Sequence, residues 1–156
     1  WRFGSRTELL EAMLARWRKD FTAHLIEQSA PLASPRARVE TLLDNVLVAT
    51  WRGTEVARVE GAIRAWAAQD PVAGKVVREV DGQRVSYLAG ELESMGIEAG
   101  PAATMAKGMY LALLGLYATR QYTPELADDA AIRILVGVWL DRIETMAKAP
   151  AGKRGS

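Results

Sequence analysis

The segment Pro101-Ala102-Ala103-Thr104-Met105-Ala106-Lys107-Gly108-Met109-Tyr110-Leu111-Ala112-Leu113-Leu114-Gly115-Leu116-Tyr117-Ala118-Thr119-Arg120 has apolar or small side chains on nearly every side. At about 100° per residue, Gly108, Ala112, Gly115 and Thr119 share one arc of roughly 60°. That arc is a flat stripe of small side chains, against which a second helix can pack closely. Met105, Met109, Leu113 and Leu116 form one flank, and Tyr110, Leu114 and Tyr117 the far side. A helix apolar nearly all round has to be buried on several sides. The sequence therefore reads as an all-α protein, a six-helix bundle with this helix against several neighbours.

The helix that follows, about Pro124 to Lys148, has the same character. Ile132, Leu135, Val136, Trp139, Ile143 and Met146 make one apolar face, and Ala131, Ile134 and Val138 make a second. A monomer of this size covers one such face but hardly both. The economical arrangement is a symmetric homodimer in which the last two helices of each chain form a four-helix bundle. Gly108, Ala112, Gly115, Ile132, Leu135, Val136, Trp139 and Ile143 are the expected interface residues. The competing arrangement is a monomer with these helices at its centre.

Four further helices precede this pair. Ser5 and Glu8 have the spacing of a capping box, and Leu10, Met13, Leu14, Trp17, Phe21 and Leu25 repeat at three- and four-residue steps towards Gln28. Ser34-Pro35 opens a second helix through Val39, Leu42, Leu43, Val46 and Leu47 towards Trp51, which Gly53 stops. Thr54 caps a third, with Val56, Val59, Ile63 and Trp66 inside and a Glu60–Arg64 i,i+4 pair of favourable polarity. Asp70-Pro71 opens a fourth through Val76, Val80, Tyr87, Leu88, Leu92 and Met95, continuous across Asp81-Gly82 because the apolar register holds on both sides. No alternating run or hairpin signal suggests a strand. The segment 149–156 reads as a disordered tail.

Composition removes several function classes. The 156 residues contain no cysteine and one histidine, His24, which excludes disulfides and thiolate metal sites and leaves nucleophilic catalysis without partners. Asp128-Asp129 reads as first-turn charge at a helix N-terminus rather than as a metal site. Gly108 and Gly115 lie within a helix, not in a phosphate-binding loop. No enzymatic role, cofactor or metal is expected, and no apolar run is long enough for a bilayer span. Net charge is +1, with a mildly basic start (Arg2, Arg6, Arg16, Arg18 and Lys19 against Glu8 and Glu11). The chain opens on Trp1 rather than Met and reads as a piece of something longer, or a processed product.

The start Trp1-Arg2-Phe3-Gly4-Ser5-Arg6-Thr7-Glu8-Leu9-Leu10 resembles the junction of TetR-family transcription regulators. There a recognition helix ends in a Tyr-x-His-Phe-like turn, and a Lys-Glu-x-Leu-Leu-like start opens the next helix. Phe3 matches the Phe, Arg2 stands at the usual His and Arg6 at the usual Lys. The segment Ala62-Ile63-Arg64-Ala65-Trp66-Ala67-Ala68-Gln69-Asp70-Pro71 is similar to one in the effector-binding domain of many members.

The resemblance implies that residues 1–4 are the remnant of a helix-turn-helix domain and 5–148 an effector-binding and dimerisation domain. It also implies a cytoplasmic, ligand-responsive repressor whose operator DNA is read by an N-terminal domain mostly missing from this sequence. Arg2 and Arg6 would lie near DNA phosphates, adding salt-sensitive affinity without reading sequence. The effector would be small and apolar or aromatic, inside the bundle. Trp17, Phe21, His24, Trp51, Ile63, Trp66, Tyr87, Met105, Met109 and Tyr110 are the expected lining. Each aromatic has a plainer reading as core, and His24 beside Phe21 one as a hydrogen-bonded core residue. Ligand would favour one spacing of two DNA-reading heads, with the helix from Ser5 to Gln28 as the lever. The alternative is a helical dimerisation or adaptor module with no small-molecule ligand.

Overall fold

A computed structural model describes residues 3–149. Arg2, and the expected tail beyond residue 149, lie outside the described residues. The described chain is all-α apart from one two-residue hairpin. Its elements are α1 (Arg6–Arg18), a π turn (Lys19–Ala23), α2 (His24–Ser29), α3 (Pro35–Val46), β1 (Thr50–Trp51), β2 (Thr54–Glu55), α4 (Val56–Ala67), α5 (Pro71–Ser94), α6 (Ala99–Tyr122), a 3-10 turn (Pro124–Leu126) and α7 (Asp129–Lys148). The segment α1–π–α2 is one continuous rod, so six rods make up the bundle.

Local chemistry accounts for most boundaries. Ser5 Oγ accepts from Glu8 N, Ser34 Oγ from Ala37 N, Asp70 Oδ1 from Val72 N and Ala73 N, and Asp128 Oδ1 from Ala130 N and Ala131 N. Each satisfies amides that the first helical turn leaves without partners. The fourth helix runs unbroken across Asp81-Gly82. Gly96, at φ +97°, ends it in the left-handed conformation, and Ile97 N closes back on Leu92 O.

Two connections depart from the sequence reading. The last helix begins at Asp129, after the 3-10 turn at Pro124–Leu126, instead of at about Pro124. The second helix ends at Val46 instead of running towards Trp51, and residues 50–55 form an antiparallel hairpin pairing Thr50 with Glu55 and Trp51 with Thr54. Its turn residues, Arg52 at φ 48° and Gly53 at φ 77°, are both left-handed, as a two-residue hairpin loop requires. Arg-Gly is a weak version of the usual Asn-Gly signal, and two residues per strand leave no alternation to detect. Glu55, not Thr54, then stands at the N-cap of α4.

The core falls into adjoining clusters. Val39, Leu92, Met109, Val136, Leu140 and Ile143 anchor one end, and Leu14, Trp17, Ile63, Val77 and Val80 the other. Val56, Ala57 and Tyr117, backed by Phe21, Trp51 and Leu113, form a third. Of the expected interface residues, Val136 and Ile143 are buried in the chain's own core, with Ile132 and Trp139 packed against it. Leu135 and Gly115 are exposed, and Gly108 and Ala112 half-buried. The aliphatic side chains most open to solvent on α6 and α7 are Leu111 (66%), Ile134 (68%) and Val138 (59%). No helix among the described residues is long and apolar enough to cross a membrane.

Candidate ligand cavity and its buried charge cluster

The apolar stripe of α4 runs Val56, Glu60, Ile63, placing a carboxylate where the register calls for a hydrophobe. The stripe of α5 runs Val77, Val80, Arg84 and places a guanidinium the same way. The two helices pack side by side, so the misplaced charges meet. Glu60 is 2% exposed, and its Oε1 accepts from Arg84 Nη2 at 2.7 Å and from Trp17 Nε1 at 3.0 Å. Arg84 Nε donates to Thr22 Oγ1 at 2.9 Å, Nη1 to Tyr110 Oη at 3.1 Å and Nη2 to Phe21 O at 3.2 Å. The guanidinium carbon also lies 5.1 Å from the centre of the Trp17 ring.

A second pair extends the cluster. Arg64 grips Asp81 through both terminal nitrogens, at 2.8 and 3.1 Å, and Nη2 also donates to Tyr110 Oη at 2.9 Å. Tyr110 Oη donates in turn to Asp81 Oδ1 at 2.6 Å. The Glu60–Arg64 pair expected from spacing is present at 3.4 Å, but it is the loosest contact in a buried network rather than an isolated surface pair. Two acids and two arginines leave the cluster electrically balanced.

Titration behaviour follows from these contacts. Burial works against the charge of Asp81, but hydrogen bonds from Arg64 and Tyr110 outweigh it and hold the carboxyl below the ordinary aspartate value. Burial pushes the Tyr110 phenol up to about 12, with Arg84 working the other way. Burial also raises Tyr117, with Glu60 adding to the effect. Burial opposes the charge of Arg84, yet the field of Glu60 prevails and keeps it protonated.

The cluster closes one end of a cavity of about 90 Å³. Its apolar wall comes from Phe21, Leu25 and Ile26 on the first rod, Val39, Leu42, Leu43 and Val46 on α3, Val56 on α4, Leu88 on α5, Met109 and Leu113 on α6, and Ile132 and Val136 on α7. Trp51, Tyr87, Tyr110, Tyr117, Glu60 and Arg84 also border it. Tyr117 Oη is tied to Val46 O at 2.7 Å and Tyr87 Oη to Ser29 Oγ at 2.9 Å. Two buried polar atoms of bordering residues make no hydrogen bond: Glu60 Oε2 and Trp51 Nε1. Buried polar groups are nearly always satisfied, so each calls for an explanation.

Of the ten expected lining residues, Phe21, Trp51, Tyr87, Met109 and Tyr110 border the cavity. Trp17 stands behind it as a donor to Glu60. Ile63 and Trp66 belong to the core cluster around Trp17, and Met105 packs against the opposite one. His24 does not border the cavity; it is half-buried, hydrogen-bonds the exposed Gln28 at 3.0 Å, and its ring lies 5.4 Å from that of Trp51. Sequence reasoning missed Glu60, Arg84 and the whole contribution of α3. Arg6 is exposed near the N-terminal end. Among the described residues no group of three or more His, Asp or Glu side chains is placed to hold a metal ion.

The first rod meets this cluster at its π turn. Phe21 O and Thr22 Oγ1, both within Lys19–Ala23, accept from Arg84. A π turn inserts one extra residue into a helix, and such insertions are frequent at functional sites. No protein-family model, no curated protein and no solved structure matches this chain.

Proposed function

We propose that this chain is the effector-sensing and dimerisation part of a TetR-type transcription regulator. The observation that carries the reading is the cavity between the helices, apolar along its wall and closed by a charge cluster that also holds the first rod through Trp17, Phe21 and Thr22. An occupant in contact with that cluster acts on the rod that, in such regulators, leads to the DNA-reading head. The junction motif ending at Leu10 and the helix order support the same reading. Leu111, Ile134, Leu135 and Val138 give α6 and α7 open apolar surface for a second copy. On this reading the operator is read by a domain preceding this one, and the effector is a small apolar or aromatic molecule.

Two measurements on the chain test it. Sedimentation should show a dimer, and a panel of small aromatic compounds should raise the melting temperature by mass action on the native state. A dimer that no compound stabilises favours the adaptor reading. A monomer that no compound stabilises refutes both.

A further inference from the structure

We infer that the cavity selects an uncharged, compact apolar molecule carrying a hydrogen-bond donor, a hydroxyl or N–H, that binds the free oxygen of Glu60. This inference rests on the proposed sensing role and specifies its ligand.

The first observation is the free oxygen itself. Glu60 Oε1 already takes Arg84 and Trp17, whereas Oε2 accepts no hydrogen bond and has only Arg64 Nη2 at 3.4 Å. Glu60 is 2% exposed, so water does not satisfy Oε2 at the surface. Arg64 Nε and Arg120 Nη1 also lack hydrogen-bond partners, but neither residue borders the cavity. Of the residues that do border it, Glu60 carries an orphan acceptor, Oε2, and Trp51 an orphan donor, Nε1. A hydroxyl serves either need, and a donor is the requirement set at the charged end.

The second observation is the charge balance. Glu60 and Asp81 match Arg84 and Arg64, and Asp20, the remaining charge on the cavity wall, is paired with Arg16 at 3.3 Å. A carboxylate ligand would meet an Arg84 whose Nε, Nη1 and Nη2 are all engaged. A cationic ligand would leave a buried excess positive charge. A neutral donor fills Oε2 and leaves the balance unchanged. Size limits the occupant to a compact molecule: a cavity of about 150 Å³ accepts benzene, so the 90 Å³ here admits a single ring only as the wall moves outward.

The test is calorimetric titration of the whole chain with four probes of one shape: p-cresol, toluene, benzoate and benzylammonium. p-Cresol should bind about tenfold or more tighter than toluene, the yield of one charge-assisted hydrogen bond, and tighter than either ion. Leu113→Trp, which fills the cavity wall without touching the cluster, should abolish binding of p-cresol and toluene alike. Glu60→Gln, where it folds, turns the free acceptor into an amide donor and should bring p-cresol and toluene within about twofold. Equal binding of p-cresol and toluene overturns the donor class while leaving the cavity as the sensing site. Preference for benzoate or benzylammonium does the same. p-Cresol binding that survives Leu113→Trp, or no binding by any probe, overturns the inference, and the latter removes the sensing role with it.

Discussion

Removing Glu60 while leaving Arg84 in place should be among the costliest single changes in this protein. Glu60→Leu fills the same volume but strands a guanidinium that is 12% exposed and an indole N–H that is fully enclosed. Breaking a buried ion pair from one side costs about 3–5 kcal/mol, a large part of the stability of an ordinary domain, roughly 5–15 kcal/mol. Arg84→Met strands Glu60 in turn, together with Thr22 Oγ1 and Phe21 O, and should cost a similar amount. The double variant removes both charges. What remains is the loss of the bonds from Arg84 to Thr22, Phe21 and Tyr110 and from Trp17 to Glu60, at about 1 kcal/mol each. Its cost should therefore be about 4 kcal/mol instead of the additive 6–10, a coupling of about 2–6 kcal/mol. Urea unfolding followed by circular dichroism measures all three, with an unchanged slope expected. The comparison is Arg18→Ala, which breaks an exposed pair with Glu79 (43% and 48% exposed) and should cost about 0–1 kcal/mol. A Glu60→Leu variant no weaker than Arg18→Ala, or a double variant whose cost equals the sum of the singles, would refute the claim that the cluster acts as one unit.

Three further outcomes are expected. Because the folded-state pKa of Asp81 is depressed below the ordinary 3.8, its contribution is fully present above that value and is lost as pH falls through the folded pKa. The stability gap between the native chain and Asp81→Asn should thus be constant from pH 5 to 7 and narrow below about 4; a gap that widens in acid contradicts the assignment. Arg52→Asn should stabilise by a few tenths of a kcal/mol up to about 1, because Asn tolerates the left-handed φ of 48° that Arg adopts only under strain; a lower melting temperature would count against the turn geometry. Ile134→Asp with Val138→Asp charges two exposed positions one turn apart on α7 and should leave folding within about 1 kcal/mol of the native chain while converting dimer to monomer in sedimentation; retained dimerisation would place the interface elsewhere.

The helical architecture was legible because its signals are local. Cap residues at Ser5, Ser34 and Asp70 and a steady three–four spacing need no knowledge of tertiary partners. The hairpin was not legible, since its signal is four residues long and uses Arg where Asn is usual. The cavity was half legible. Aromatic residues announce themselves by size, which found Phe21, Trp51, Tyr87 and Tyr110, but size alone cannot separate a cavity wall from close-packed core, where Trp66 and Ile63 belong. The polar end was written in the sequence in a form that read as something else. Glu60 and Arg64 at i,i+4 look like a solvated surface pair. Only the apolar neighbours Val56 and Ile63 on one helix, and Val77 and Val80 on the other, mark Glu60 and Arg84 as charges placed inside. On α7 the periodicity gives two apolar faces, but which residues turn inward depends on the packing of α6: the structure gives Val136 and Ile143 to the core and leaves Leu135 and Met146 of the same face exposed.

On the proposed reading, the π turn explains how a cavity of this size governs the first rod. Two sets of contacts hold that rod: Trp17 to Glu60, and Phe21 O with Thr22 Oγ1 to Arg84. Trp17 lies just before Lys19–Ala23, and Phe21 and Thr22 lie within it. Relaxing the π turn to α geometry shifts the register of residues upstream by about one position, roughly 100° of rotation. Trp17 cannot then reach Glu60 while α2 keeps its place. On this reading the contacts at Trp17 and at the π turn are expected to break together when the register shifts, which would make the rod a two-state element. Both sets end on the same Glu60–Arg84 pair, and the cavity borders that pair directly. An occupant bonded to Glu60 Oε2 draws on the carboxylate that also accepts from Trp17, so its affinity differs between the two states of the rod. A hundredfold shift in their ratio requires a difference of about 2.7 kcal/mol, within reach of one or two charge-assisted hydrogen bonds. An occupant touching only the apolar wall at Leu42, Leu113 and Val136 has no such lever and would bind without moving the rod.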